Sequence, residues 1–195
     1  MNPQSQKIQL LADLVLPLVG YYFWGWNIYF ILFFFVLDVV AQIYFAFLKS
    51  QKITKFQQVK YPVLHLLVSL IGYGIAGVLL VHSLPFIVKG SDFYKELNSF
   101  LTYKEMGVPQ LILLFPLIVV GGYMNYKVTF LLPKKFTSES ISRIWKDQLV
   151  TSSSILIAML LFVGVAFCFV LPESVYIWAM LTIIALYKLY VPNSN

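Results

Sequence analysis

Long apolar stretches separated by short polar connections dominate the pattern of this chain. Apolar runs occupy 27–37, 61–81, 108–124 and 155–172. A helix needs about 20 predominantly apolar residues to cross a hydrocarbon core about 30 Å thick. The pattern therefore predicts an all-α integral membrane protein in which residues 1–195 form a single transmembrane domain.

Six spans are predicted, packed as one helical bundle. They are Ile8–Trp24, Asn27–Leu48, Tyr61–Leu84, Val108–Tyr126, Leu149–Leu171 and Val175–Tyr190. The first and last are the least regular, because the first contains Asp13 and Pro17 and the last has Lys188 near its end. Each irregularity lies close enough to an interface for tilting or snorkelling to accommodate it.

The charged residues of the connections predict the orientation of the bundle. Cytoplasmic loops of membrane proteins are enriched in Lys and Arg. The connection after the second span has four Lys and no acid, and that after the fourth has five basic against two acidic residues, whereas the connection after the third has three of each. Both termini are therefore expected on the cytoplasmic side of a bacterial cytoplasmic membrane.

Composition narrows the class of protein further. Hydrophobic residues make up 60% of the chain and charged residues 11%, whereas a soluble domain averages about 25% charged residues. A separate soluble catalytic domain does not fit this length. The net charge of +6 belongs to the loops, where it sets topology and meets lipid headgroups, so we expect membrane lipid and no nucleic acid among the partners.

Two connections are predicted to form amphipathic helices lying flat on the membrane. The apolar stripe of the outer helix comprises Phe93, Leu97 and Phe100, and that of the inner helix comprises Ile141, Ile144 and Trp145. Ser138 is the expected N-cap of the inner helix. Periodicity leaves two interpretations open: the helices seal the ends of the bundle, or they form surfaces for a partner or for lipid.

Asp38 is the most informative polar residue because it lies near the middle of the second span. A carboxylate facing lipid at that depth costs at least about 2.5 kcal/mol, so the side chain should point inward or be protonated. Gln42 follows one helical turn later on the same face and is placed to donate a hydrogen bond to the acid. A structural contact between helices and a functional ionisable site both satisfy this pattern.

His65 begins a face of small residues in the third span. Ser69, Gly72 and Ala76 continue that face, and such residues allow close helix approach. We therefore expect His65 to make a polar contact in a packed seam near the inner interface. His82 lies about 25 Å farther along the helix, so the two histidines cannot share a metal, and no metal or other cofactor is expected.

The remaining candidate polar residue is Asp13, near the inner end of the first span, where it either reaches Lys52 or Lys55 or remains hydrated. Local catalytic motifs such as G-x-S-x-G, H-E-x-x-H and a Gly-rich phosphate loop do not occur in the sequence. This favours a noncatalytic protein.

Several short motifs resemble an uncharacterised bacterial family of small polytopic membrane proteins, a domain of unknown function. The motifs are Leu16-Pro17-Leu18, Gly25-Trp26, an acid at Asp38, His65, Val81-His82-Ser83 and Tyr187-Lys188. The chain departs from the family by having Leu37-Asp38 in place of an aromatic residue followed by Glu. It also has Gln148 and Ser152 or Ser153 where family members carry Arg and His. The resemblance implies a fold and no established activity.

Three functions follow as expectations. The first is a noncatalytic accessory or structural subunit of a larger assembly, with other integral membrane proteins as partners. The second is a substrate-binding permease component for a small molecule, similar in length and span number to the substrate-capturing subunits of energy-coupling-factor transporters. The third is an intramembrane enzyme or proton-coupled device that uses Asp38 and His65.

Overall fold

The computed structural model of the chain describes residues 14–59, 63–83, 92–102, 110–169 and 172–190. All regular structure within these ranges is helical, with no strand. The α-helices are α1 (Leu14–Phe23), α2 (Ile28–Gln57), α3 (Val63–Ser83), α4 (Phe93–Thr102), α5 (Gln110–Tyr126), α6 (Ile141–Cys168) and α7 (Glu173–Tyr190). The prediction of an all-α chain is confirmed.

The chain turns between α1 and α2 at Gly25, which lies between Trp24 and Trp26. Gly25 has a φ of 62°, a left-handed conformation that glycine adopts without a steric penalty. The N–H groups of Trp24 and Trp26 both donate to the carbonyl of Gly20, at 3.1 and 2.9 Å, and so close the end of α1. Asn27 then caps α2 by accepting a hydrogen bond from the N–H of Phe30.

Helix α2 is longer than the predicted second span. It has 30 residues, about 45 Å at 1.5 Å per residue, and therefore includes residues 49–57 of the predicted connection. The sequence contains no Gly or Pro between Ile28 and Gln57, so nothing local interrupts the helix. It ends at Gln58, which has a left-handed φ of 56°. Helix α2 contacts α3, α4, α5 and α6, which makes it the central helix of the described fold.

Helix α6 joins two elements that the sequence pattern separated. The predicted inner amphipathic helix and the predicted fifth span form one continuous helix of 28 residues. Its N-cap is Ser140, whose hydroxyl accepts from the N–H of Arg143 at 3.3 Å, so the expectation that Ser138 caps it was wrong. A separate helix lying flat at this end is therefore replaced by the first turns of α6.

Helix α5 is extended by a turn of π-helix at Lys127–Leu131, followed by a short 3₁₀ turn at Lys135–Thr137. Pro116 lies inside α5 and has no N–H to donate along the helix. The two turns carry the chain from the end of α5 towards α6.

Three helical segments are long and apolar enough to cross a membrane: α2, Leu114–Leu131 and Ile141–Val165. Shorter apolar helical segments occur at Leu14–Phe23, Leu66–Leu80 and Ser174–Ile183. Large apolar side chains are also exposed in long rows. On α3 they include Leu64, Val68 and Ile71. Apolar surfaces of this extent mark a membrane or protein interface, and together with the long apolar helices they indicate an integral membrane protein.

The contacts between α2 and α5 show that these two helices run parallel. The ring of Phe45 lies against Gly122 and at 6.2 Å from the ring of Tyr126. Farther along both helices, the ammonium of Lys49 lies 6.0 Å from the centre of the Phe130 ring. Residue numbers therefore increase together along the contact.

Two long-range contacts define opposite ends of the molecule. At one end, the side-chain amide of Gln57 donates to the carbonyls of Phe136 and Glu139, both at 3.1 Å. At the other end, the amide of Asn27 donates to the carboxylate of Glu96 at 2.7 Å. The two lysine-rich connections thus meet at one end, and the uncharged hairpin meets α4 at the other.

Candidate functional site

Asp38 and Gln42 form a hydrogen-bonded pair on α2. The Gln42 Nε2 donates to the Asp38 Oδ2 at 2.7 Å, and both side chains are half-buried. Phe45 and Lys49 continue the same face of the helix, and their contacts are with residues of α5 and the π turn after it. The carboxylate therefore lies on the side of α2 that faces α5, and a neighbouring amide compensates its desolvation.

We predict that the pair behaves as one energetic unit. Gln42→Leu should lower the free energy of unfolding by about 0.5–2 kcal/mol, because it leaves a half-buried acid without this donor. The double variant Asp38→Leu/Gln42→Leu should recover most of that loss, and Asp38→Asn, which keeps an acceptor oxygen, should resemble the wild type. Reversible unfolding in mixed detergent micelles measures all three. A double variant no more stable than Gln42→Leu would show that the pair is not coupled.

Hydroxyl groups join α3 to α6. The Tyr73 Oη lies 2.9 Å from the Ser153 Oγ and donates to the carbonyl of Leu149 at 3.2 Å. One turn away, the Gln148 Nε2 donates to the Oγ of Ser152, which is fully buried, at 2.6 Å. Sequence reasoning missed Tyr73, although it lies four residues from both Ser69 and Gly77.

The small-residue seam of α3 differs from the predicted one. A Cβ at Gly77 would lie 3.2 Å from the side chain of Val36 on α2, whereas a Cβ at Gly72 would meet nothing within 4 Å. Ser69 is buried, and Leu80 is buried as well. The packed stripe is therefore Ser69, Tyr73, Ala76, Gly77 and Leu80, so Ser69 and Ala76 were predicted correctly and the inclusion of Gly72 was wrong. From Ser69 the packed face of α3 continues four residues later at Tyr73. Gly72, three residues after Ser69, lies on the exposed side of the helix.

Two of the predicted polar sites lie outside what the structure describes. His65 belongs to α3, but its side chain is not among the described ones, and Asp13 precedes the first described residue. Their predicted roles stay predictions.

An aromatic column runs along the contact between α2 and the segment from α5 to the 3₁₀ turn. Its members, in contact order, are Phe45, Tyr126, Phe130, Phe136 and Phe56. Successive ring centres lie 5.3–6.3 Å apart, within the range of favourable aromatic pairs. Lys49 lies over Phe130 and Lys52 over Phe136, at 6.0 and 5.3 Å from the ring centres, so cation–π attraction holds two ammonium groups beside this column.

The aromatic column leads to a group of charges that we call the basic end. Its described members are Lys49, Lys52, Lys55, Lys127, Lys134, Lys135, Arg143 and Lys146, with Glu139 and Asp147 as the acids. The ion pair found among these residues joins Lys135 to Glu139 at 3.2 Å. Eight basic groups against two acids leave a strong positive excess at one end of the molecule.

The inner amphipathic segment, predicted as a partner or lipid surface, lies at the start of α6. Ile144 and Trp145 are 7% and 2% exposed and belong to the core, and Ile141 is half-buried against it. For Ile144 and Trp145 the prediction of a partner or lipid surface was wrong, because both side chains are buried in the core, and for the half-buried Ile141 it stays a prediction.

The outer amphipathic segment forms a helix, as predicted. Helix α4 spans Phe93–Thr102 and contacts α5 and α2. The backbone oxygen and the carboxylate of Asp92 accept hydrogen bonds from the N–H groups of Glu96 and Tyr94, which makes it the N-cap. Leu97 is half-buried. The side chains of Phe93 and Phe100 lie outside the described set, so their predicted role as a partner or lipid surface stays a prediction.

Within the described residues, no three His, Cys, Asp or Glu side chains are grouped so that they could hold a metal ion. No family model, curated protein or solved structure matches the chain. The resemblance to small polytopic membrane proteins therefore stays a prediction.

Proposed function

We propose that the protein is a noncatalytic accessory or structural subunit of a larger membrane assembly, built as a six-span bundle. The observation that supports this role most directly is how its polar side chains are used. Asn27 binds Glu96, Tyr73 binds Ser153, and Gln57 binds two carbonyls of the connection before α6. Each of these contacts joins distant parts of the same chain. These polar side chains therefore stabilise the fold, as expected of a structural subunit.

The positions of the connections support a topology with both termini in the cytoplasm of a bacterial cell. The basic end brings the connections after the second and fourth predicted spans together through Gln57. The opposite end brings the first hairpin and α4 together through Asn27 and Glu96. Alternation of basic and nearly neutral connections is what the positive-inside rule requires of six passes.

The surface of α4 supports contact with a partner at the outer face. Tyr94 and Leu101 are 73% and 42% exposed and lie seven residues apart, so they share a face of the helix. The exposed apolar rows of α3 and α6 fit membrane lipid or the spans of other integral membrane proteins.

Purification from the native membrane tests the proposal. The tagged chain, extracted in a mild detergent, should bring down at least one other integral membrane protein in a constant ratio. Tyr94→Ala combined with Leu101→Ala should lower that ratio several-fold, since both replaced side chains are exposed on one face of the helix.

Lys95→Ala is the matched control, because Lys95 is exposed on the same helix and its removal should leave the ratio as in the wild type. Recovery of the chain alone, as a single species from freshly extracted native membranes, would contradict the proposed role as a subunit.

A further inference from the structure

We propose that the basic end binds the phosphate headgroups of anionic phospholipids, with the neighbouring apolar side chains inserted among the acyl chains. This proposal rests on the membrane placement given under the proposed function. It goes beyond that function by assigning a ligand class to a defined surface.

The charges of the basic end are placed to meet anions outside the protein. Lys55, Lys127, Lys134 and Lys146 are exposed, and none of them has an ion-pair partner among the described residues. Glu139 is already paired with Lys135 at 3.2 Å. Juxtamembrane lysines attract anionic lipid, and the attraction increases with each added charge.

The length of α2 places these lysines at headgroup depth. The helix is about 45 Å long, whereas the hydrocarbon core is about 30 Å thick. If the apolar part of α2 crosses the core, the turns that carry Lys49, Lys52 and Lys55 reach the interface. The rings of Phe130 and Phe136 hold the first two ammonium groups at this level.

Exposed apolar side chains beside the lysines select lipid over a soluble anion or an acidic protein segment. Phe56 is 57% exposed and follows Lys55 directly. Leu132 is 65% exposed and lies two residues before Lys134. Val128 is 48% exposed and follows Lys127. This alternation of ammonium and apolar groups matches a surface whose ligand has both a phosphate and a hydrocarbon chain.

Native mass spectrometry of the full chain tests the proposal with a defined probe. The protein, delipidated in a neutral maltoside detergent, is mixed with dioleoylphosphatidylglycerol or with dioleoylphosphatidylcholine, which has the same acyl chains. We expect retention of the anionic lipid to exceed that of the zwitterionic lipid by at least about fivefold, the effect of one lysine–headgroup contact. High salt should reduce the difference.

Three exposed lysines provide the variant. Lys55→Gln, Lys127→Gln and Lys134→Gln combined should weaken retention of phosphatidylglycerol by at least about tenfold. Lys95→Gln, which removes one charge from the opposite end, should leave it unchanged. If the triple variant fails to fold, the lipid preference of the wild-type chain still tests the proposal.

Three results would overturn the proposal. Equal retention of the two lipids by the wild-type chain would remove the headgroup preference. Displacement of phosphatidylglycerol by inorganic phosphate at the same concentration would indicate a site for a free anion. Binding of an acidic partner protein through the same lysines, without lipid preference, would assign the surface to that partner. Each of these results leaves the subunit role intact, because that role is measured by copurification.

Discussion

Replacement of Trp145 by alanine should lower the free energy of unfolding by about 3–5 kcal/mol, the usual cost of removing a large buried aromatic side chain. Trp145 is 2% exposed and lies in the main core cluster, near the start of α6. The cavity would open within this core cluster. Unfolding of the purified chain in mixed detergent micelles, followed by circular dichroism, measures the loss.

Two further variants test whether the loss comes from removing a buried ring. Trp145→Phe should cost far less, because it keeps a large ring and because the indole nitrogen has no hydrogen-bond partner among the described residues. Phe167→Ala removes an aromatic side chain from the same helix at a position that is 75% exposed, and it should change the unfolding free energy little. Equal losses for Trp145→Ala and Phe167→Ala would indicate that Trp145 lies on the surface, as a flat interfacial helix would place it.

Gly122→Leu should destabilise the chain by about 1–3 kcal/mol, the typical effect of overpacking a tight contact. A Cβ at Gly122 would collide with the ring of Phe45 on α2, so the leucine must push α5 away from the central helix. The adjacent Gly121 is an internal control, since a Cβ there meets nothing within 4 Å. Gly121→Leu should be neutral or stabilising by up to about 1 kcal/mol, because leucine is the better helix former.

A second substitution tests whether the clash is with Phe45. Phe45→Ala in the Gly122→Leu background should recover part of the lost stability, because the space left by the ring admits the leucine. The two changes should therefore be non-additive by about 0.5–3 kcal/mol, as for residues in contact. If Gly121→Leu and Gly122→Leu were equally harmful, the close approach of α2 and α5 at this level would be contradicted.

Features that depend on neighbouring residues in the chain could be predicted from the sequence. The hydrogen bond between Asp38 and Gln42 follows from their spacing of four residues on one helix. The break between the first two helices and the outer amphipathic helix were likewise predicted from local patterns, and Gly25 and Asp92 are the turn and N-cap residues found there. Long apolar runs were sufficient to predict the three helical segments that are long and apolar enough to cross a membrane.

The end of α2 and the start of α6 could not be predicted from local signals in the same way. The lysines after Leu48 mark the edge of an apolar run, but the backbone continues as a helix to Gln57 because Lys and Gln are good helix formers. Hydropathy indicates which residues can lie in the hydrocarbon core of a membrane. Backbone hydrogen bonding and packing determine where a helix ends. The same difference explains why the inner amphipathic segment and the fifth predicted span are one helix.

By itself, the sequence determined the helical class, the apolar character of the helices and the concentration of basic residues in alternate connections. Only the tertiary structure decided which face of each helix is covered. An apolar stripe such as that of Ile144 and Trp145 is equally stable against lipid and against another helix, and Gly72 and Gly77 are equally able to admit a neighbour. The choice between them depends on where α2 lies, which is a contact between distant residues that no local pattern records.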